Sequence, residues 1–359
     1  MTEVKRVNTD WLRVKLMCLV IVLHYLHVND ALPVAGSAYE PVRIFGMFLE
    51  SFAIVAVNVW VILSGYLRVH SGFNPSRFLE LLLTVVFYGI TITVATHLTG
   101  FAPARNGVFG MVQALFPVSN GSYWFMTTYL LLYPVSAFLN AGAKALSKEQ
   151  FRLILFVMIL FGSLIKSCVP VNFPPDDMGY GLQWFIFLYL CGAYMRLHLP
   201  VTEDRTDIKM LCGYALSACA VFALTCALYA IHARTGQFAW FSGVPFHYNF
   251  ILNLVSAVCF FRWFYSLRMP KGRFAEAGAF LAPLVTGVYL LHAHPVLFER
   301  WGELTAHLTG RAPRGNLPLF FLHLVVTVVI VFVCGIVCDS VRRRLFRLVR
   351  IGTPAGKKS

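Results

Sequence analysis

The chain has 359 residues, of which 58% are hydrophobic and 13% charged, and its formal net charge is +14. Its apolar residues gather into long runs instead of recurring at amphipathic spacing, which excludes a soluble globular enzyme and predicts an all-α, polytopic integral membrane protein. The positive excess fits an inner membrane surface, where anionic lipid accounts for it without nucleic acid.

Ten apolar stretches, at roughly 11–28, 44–67, 78–98, 122–140, 151–168, 180–197, 208–231, 246–267, 280–299 and 317–339, predict about ten transmembrane helices. With the N-terminus inside, 23 of the 30 lysines and arginines fall in cytoplasmic segments and 7 in external ones. That asymmetry predicts both termini in the cytoplasm. The expected organisation is a single transmembrane domain over 1–341 and a basic cytoplasmic tail over 342–359, with Arg342, Arg343, Arg344, Arg347 and Arg350 read as a solvated stop-transfer flank. No cleavage-site pattern follows the first apolar stretch, so it reads as a retained helix. The longer external loops, about 99–121, 168–180 and 300–316, read as turn-rich caps.

The first span carries the most informative pattern: Asp10, Arg13 and, eleven positions on, His24. At about 100° and 1.5 Å per residue, eleven steps return to nearly the same helix face roughly 16 Å further along. A guanidinium near one surface and an imidazole within the bilayer then point the same way. Ionisable groups inside a membrane are expensive and mark functional sites. Asp10 lies near the same stripe and supplies an acid to it.

Span two carries a polar seam of Glu50, Ser51, Asn58 and Ser64, followed by Gly65 and Tyr66. Glu50 is expected to pair with His24 or an arginine. Asn58 and Ser64 are read first as interhelical packing residues. They and Tyr66 are also candidate oxyanion donors. Arg68 closes this span and Arg77 opens the third, so that with Arg13 three guanidinium groups gather near one surface, where arginine suits phosphate contact. Span four opens with Tyr123-Trp124-Phe125, an interfacial anchor with faces on which sugar rings also stack.

Of the nine cysteines, Cys212, Cys219 and Cys226 recur every seven residues on one helix face and read as small, buried packing residues. Span nine presents Tyr289, His292 and Glu299 on one face, candidates for acceptor contact. Its His292-Ala293-His294 pair is weak as a zinc signal, because alternate residues of a helix diverge. No metal is expected. His232, His247, His307 and His323 read as satisfied packing histidines.

Taken in order, Asp10 with Arg13-x10-His24, Val57-Asn58-Val59-Trp60-Val61-Ile62-Leu63-Ser64-Gly65-Tyr66-Leu67, Tyr123-Trp124-Phe125 and Val288-Tyr289-Leu290-Leu291-His292 resemble acyltransferase family 3, the multi-pass O-acyltransferases of bacterial surface polysaccharides. The similarity runs from about residue 5 to about 340. It implies ten core helices in the bacterial cytoplasmic membrane, acetyl-CoA as a cytoplasmic acyl donor, and a glycan or lipid-linked saccharide acceptor. It makes His24 the catalytic histidine and Arg13 its partner on the donor side. Many members carry Arg-x-x-Arg at the start of the third span, whereas this chain has Arg77 and then Glu80.

The residues and the resemblance converge on one expectation: His24, with Glu50 and Asp10 in support, deprotonates a glycan hydroxyl while Arg13, Arg68 and Arg77 hold the donor. The rival reading is a transporter or flippase of a glycan precursor or small acid, which buried His, Glu and Arg also suit. Such carriers often pair broken helices in two related halves, and no such pairing is visible. Acceptor sugar, acyl group and oligomeric state are open at this level.

Overall fold

The computed structural model of the protein describes residues 3–33, 40–101, 112–119, 121–169, 177–199, 207–349 and 351. Every element among these residues is helical, with no strand. The main helices are α1 (Glu3–Val28), α2 (Pro41–Ala53), α3 (Val55–Arg68), α4 (Pro75–Leu98), α5 (Trp124–Ala145), α6 (Lys148–Ile159), α7 (Leu182–His198), α8 (Ile208–Thr235), α9 (Ile251–Ser266), α10 (Arg273–Leu281), α11 (Val285–His292), α12 (Trp301–Thr309) and α13 (Leu317–Leu348).

Eight helical stretches among the described residues are long and apolar enough to cross a membrane, including α2 and α3 together as Pro41–Arg68. The protein is therefore a multi-pass membrane protein. The two other predicted spans are present as helices of a different character. α7 has only 17 residues, and α5 contains Tyr129, Tyr133, Pro134 and Asn140, which dilute its apolar run.

Helix ends follow local chemistry. The Asn74 side chain accepts from the Arg77 amide at 3.0 Å, with Pro75 just inside the helix, so the turn that presents Arg77 is fixed by an N-cap. Ser147 and Gln150 form a reciprocal capping box at α6. Asn316 caps α13 by accepting from the Leu319 amide at 3.1 Å.

The Pro41–Arg68 stretch is central: 78% of its apolar window is buried, against 17% for Lys148–Cys168 at the lipid-facing periphery. It packs most closely on α7. A methyl group at Gly65 would strike the Tyr189 carbonyl oxygen, and one at Gly192 would strike that of Ile62, in each case far inside van der Waals contact. Gly65 is thus the small residue of a close helix crossing.

Three expectations are corrected here. Cys212 and Cys219 are exposed and Cys226 is half-buried, so the cysteine face of α8 looks outward toward lipid; a weakly polar thiol costs little there. The 300–316 segment is not only turns, since α12 occupies Trp301–Thr309. Arg342 is not solvated: α13 runs through it to Leu348, and its side chain is buried in an ion pair with Asp339. The loop readings over 102–111 and 170–176, and Arg350 of the tail, fall outside the described residues.

Candidate active site

A cavity of about 510 Å³ opens within the helical bundle, and α1 supplies one wall through Arg13, Met17, Val20 and His24. Steps of four, three and four residues keep these side chains on one helical face. The stripe inferred from Arg13 and His24 is therefore continuous and looks into a shared space.

Contacts along α1 hold that stripe in register. Near its start, Asn8 Nδ2 donates to the carbonyl oxygens of Tyr265 at 2.9 Å and Leu267 at 2.7 Å. The Trp11 ring stacks on Phe274 at 4.4 Å and its Nε1–H donates to the Phe274 carbonyl at 3.0 Å. At the far end, the Tyr25 hydroxyl donates to His323 Nδ1 at 2.7 Å, while His323 Nε2–H donates to the Gly310 carbonyl at 3.1 Å. His323 is thus a satisfied packing histidine.

The cavity has two chemically distinct ends. Arg13, Arg68 and Arg77 line one of them, and His24, Trp124 and Tyr289 line the other. Leu63, Leu67 and Leu81 contribute apolar wall between α1, α3 and α4. Two of the three guanidinium groups already carry a carboxylate. Arg13 Nη1 lies 4.0 Å from Asp10 Oδ1, and Arg77 Nη1 donates to Glu80 Oε2 at 2.7 Å. The Arg68 guanidinium instead sits 4.1 Å from the centre of the Tyr133 ring, a cation–π arrangement that leaves its donor edge for another ligand. Among the described residues it makes no carboxylate ion pair.

At the other end, His24 packs between two rings. The Phe298 ring meets it edge-on at 5.0 Å between centroids, and His292 lies tilted at the same separation. His24 Nδ1 is buried with no hydrogen-bond partner, and so is His292 Nε2. His292 Nδ1 lies against the Val288 carbonyl oxygen in a buried hydrogen bond.

Of the other expected site residues, Ser64 and Tyr289 line the cavity, whereas Asp10, Glu50, Asn58, Tyr66 and His292 do not. Ser64 Oγ donates to the Trp60 carbonyl at 2.9 Å and lies 3.3 Å from the Tyr129 hydroxyl. Asn58 is committed to structure: its Nδ2 donates to the Tyr248 carbonyl at 2.8 Å and its Oδ1 accepts from Trp184 Nε1 at 3.1 Å. Tyr66 packs against Phe261 and Tyr265 beneath the Arg196 guanidinium. Asp10 stands with Arg13, fourteen residues before His24, which is about 21 Å along a helix.

The expected pairing of Glu50 with His24 is not formed. Glu50 is buried, its Oε2 has no hydrogen-bond partner among the described residues, and Tyr180 and Tyr248 lie within its electrostatic reach. Among the described residues the ionisable neighbours of His24 are His292 and His27. The side chain of Glu299 lies outside the described residues.

Sequence reasoning passed over Tyr133 as a guanidinium platform and Tyr248 as a cavity wall. The spacing of Phe125, Tyr129 and Tyr133, four residues apart each time, was the available signal for one aromatic face of α5.

A multi-pass helical membrane protein with arginines at one end of an internal cavity and a histidine at the other is the class these features define. The family model described as an acyltransferase domain, that of acyltransferase family 3, matches residues 6–336, nearly the whole chain. The chain belongs to this family of acyltransferases. No curated protein and no solved structure matches it.

Proposed function

We propose that the protein transfers an acyl group, acetyl, from acyl-CoA to a hydroxyl of a cell-surface or lipid-linked glycan, with His24 as general base. The observation that carries the reading is the single cavity joining Arg13, Arg68 and Arg77 to His24. Phosphate groups of the donor fit the guanidinium end, with Arg68 the best placed because it shares no carboxylate. The leucine-lined middle suits an extended thioester arm. The inner bacterial membrane, ten spans counting α5 and α7, and both termini in the cytoplasm complete the reading, since the guanidinium end then faces the donor.

In the reaction, His24 accepts the proton of the glycan hydroxyl as its oxygen attacks the thioester carbonyl carbon. The tetrahedral intermediate collapses, the carbon–sulfur bond breaks, and the protonated imidazole returns its proton to the departing thiolate. Products are the acyl ester and free coenzyme A. Trp124 offers an aromatic face for the acceptor sugar.

The test is transfer from labelled acetyl-CoA by the protein in lipid, with mass spectrometry of the glycan. His24→Ala is expected to abolish transfer while the variant inserts and folds. Wild-type transfer by that variant removes His24 from the chemistry, and substrate flux without coenzyme A release supports a carrier instead.

A further inference from the structure

Resting on that reading, we infer that His292 is the positioning residue of His24: its Nε2 accepts a hydrogen bond from His24 Nδ1–H and so turns His24 Nε2 toward the reacting hydroxyl. A general-base histidine needs its second nitrogen held, because the hydrogen bond made there selects the tautomer and the ring orientation. A carboxylate usually fills this role, and none among the described side chains does so. Among the described residues Glu50 makes no ion pair, and the ionisable neighbours of His24 are both imidazoles.

The tautomers follow from the contacts. A backbone carbonyl only accepts, so the hydrogen bond from His292 to Val288 puts the His292 proton on Nδ1. Its Nε2 then carries a lone pair, buried and without a donor. His24 presents the complement. Its Nδ1 is buried and without an acceptor, while its ring lines the cavity. Two facing rings 5.0 Å apart at their centroids, each with one orphaned buried nitrogen, satisfy both atoms if His24 donates from Nδ1. His292 is held by its bond to Val288, so it is the His24 ring that would turn about χ2, a soft torsion, to bring its Nδ1 to His292 Nε2. Leaving both atoms unmatched is unfavourable, because each has given up water without gaining a partner.

The surroundings favour this pairing over a solvent partner. His292 is buried among Trp301 at 5.9 Å and Tyr289 at 6.0 Å, centroid to centroid, and it does not line the cavity. It therefore acts through His24 and touches no substrate. His27 offers no alternative, because it is exposed and stacks on Phe298.

The discriminating experiment compares His292→Gln, whose amide oxygen can accept in place of Nε2, with His292→Leu, which cannot. Transfer from labelled acetyl-CoA to the native glycan is followed in membranes at matched amounts of inserted protein. Expected is a fall in kcat on the order of 100-fold for His292→Leu, an unchanged KM for acetyl-CoA, and substantial recovery in His292→Gln. Equal losses in both variants, or a loss carried by KM, overturn the inference. A second measurement needs no variant of His292: 15N spectra of histidine-labelled protein, with the His24 signal assigned by its disappearance in His24→Ala, are expected to show the proton on Nδ1. A proton on Nε2 overturns it. Wild-type rates in both His292 variants beside an inactive His24→Ala sink the positioning role alone, whereas an active His24→Ala sinks the proposed function.

Discussion

Arg342 grips Asp339 with two hydrogen bonds, Nε to Oδ1 at 2.6 Å and Nη2 to Oδ2 at 3.0 Å, and both side chains are buried in α13. The pair also ties α13 to α4. The Tyr88 hydroxyl donates to Asp339 Oδ1 at 3.1 Å, and Arg342 Nη1 donates to Thr84 Oγ1 at 3.2 Å. From α11, Gly287 comes so close that a methyl group there would overlap the Asp339 carboxylate. Three helices, two of which carry cavity residues, thus converge on one ion pair.

Removing one member of a buried pair strands the other charge, which costs roughly 3–5 kcal/mol. Arg342→Ala is therefore expected to lower the thermal midpoint in detergent sharply, with loss of monodisperse protein. The double change Asp339→Asn with Arg342→Met removes both charges and is expected to restore most of the midpoint. Equal destabilisation by the single and double variants would show that the helices depend on the packing of Arg342 and not on its charge.

The crossing of α3 on α7 gives a second expectation. Gly65 has no room for a methyl group because the Tyr189 backbone occupies the space, whereas Gly142 in α5 has nothing within 4 Å of the same position. Gly65→Ala has to separate two backbones and is expected to cost about 1–3 kcal/mol. Gly142→Ala is expected to be neutral or to stabilise by about 0.5–1 kcal/mol through helix propensity. Because α3 also carries Ser64 and Arg68 into the cavity, Gly65→Ala is expected to reduce transfer as well. A variant as stable as wild type would mean that the crossing relaxes freely.

Much of this arrangement is legible in the sequence wherever helical periodicity alone decides it. Arg13, Met17, Val20 and His24 share a face because of their spacing, and the cavity follows that face. Relations between helices are another matter. Nothing in the order of residues says that His24 meets His292 while Glu50 lies within electrostatic range of Tyr180 and Tyr248, since each depends on how α1, α2 and α11 rotate against their neighbours. Arg342 shows the same limit from the other side. Among four basic residues in a run of six positions, its neighbours Arg343 and Arg344 give no hint that this one turns inward, although Asp339 three residues earlier was a visible partner at helical spacing.

Glu80 stands where the family often has a second arginine, and its contact with Arg77 turns that departure into an expectation. The pair is surface-accessible, with Arg77 54% and Glu80 24% exposed, so it contributes little to stability. Its effect is electrostatic, because a carboxylate at 2.7 Å offsets a guanidinium that lines the arginine end of the cavity, where the proposed donor would bind. Glu80→Gln keeps the shape, removes the negative charge and leaves Arg77 to bind phosphate. The KM for acetyl-CoA is expected to fall roughly 2- to 10-fold at low ionic strength, with kcat and the thermal midpoint unchanged. The gain should shrink as salt rises, since screening over a Debye length of about 8 Å at physiological ionic strength weakens exposed charges. Donor KM values measured at low salt, about 20 mM, and at high salt, about 500 mM, decide the matter. A KM that does not move at low salt would place Arg77 outside the donor's path and leave Arg13 and Arg68 to hold it.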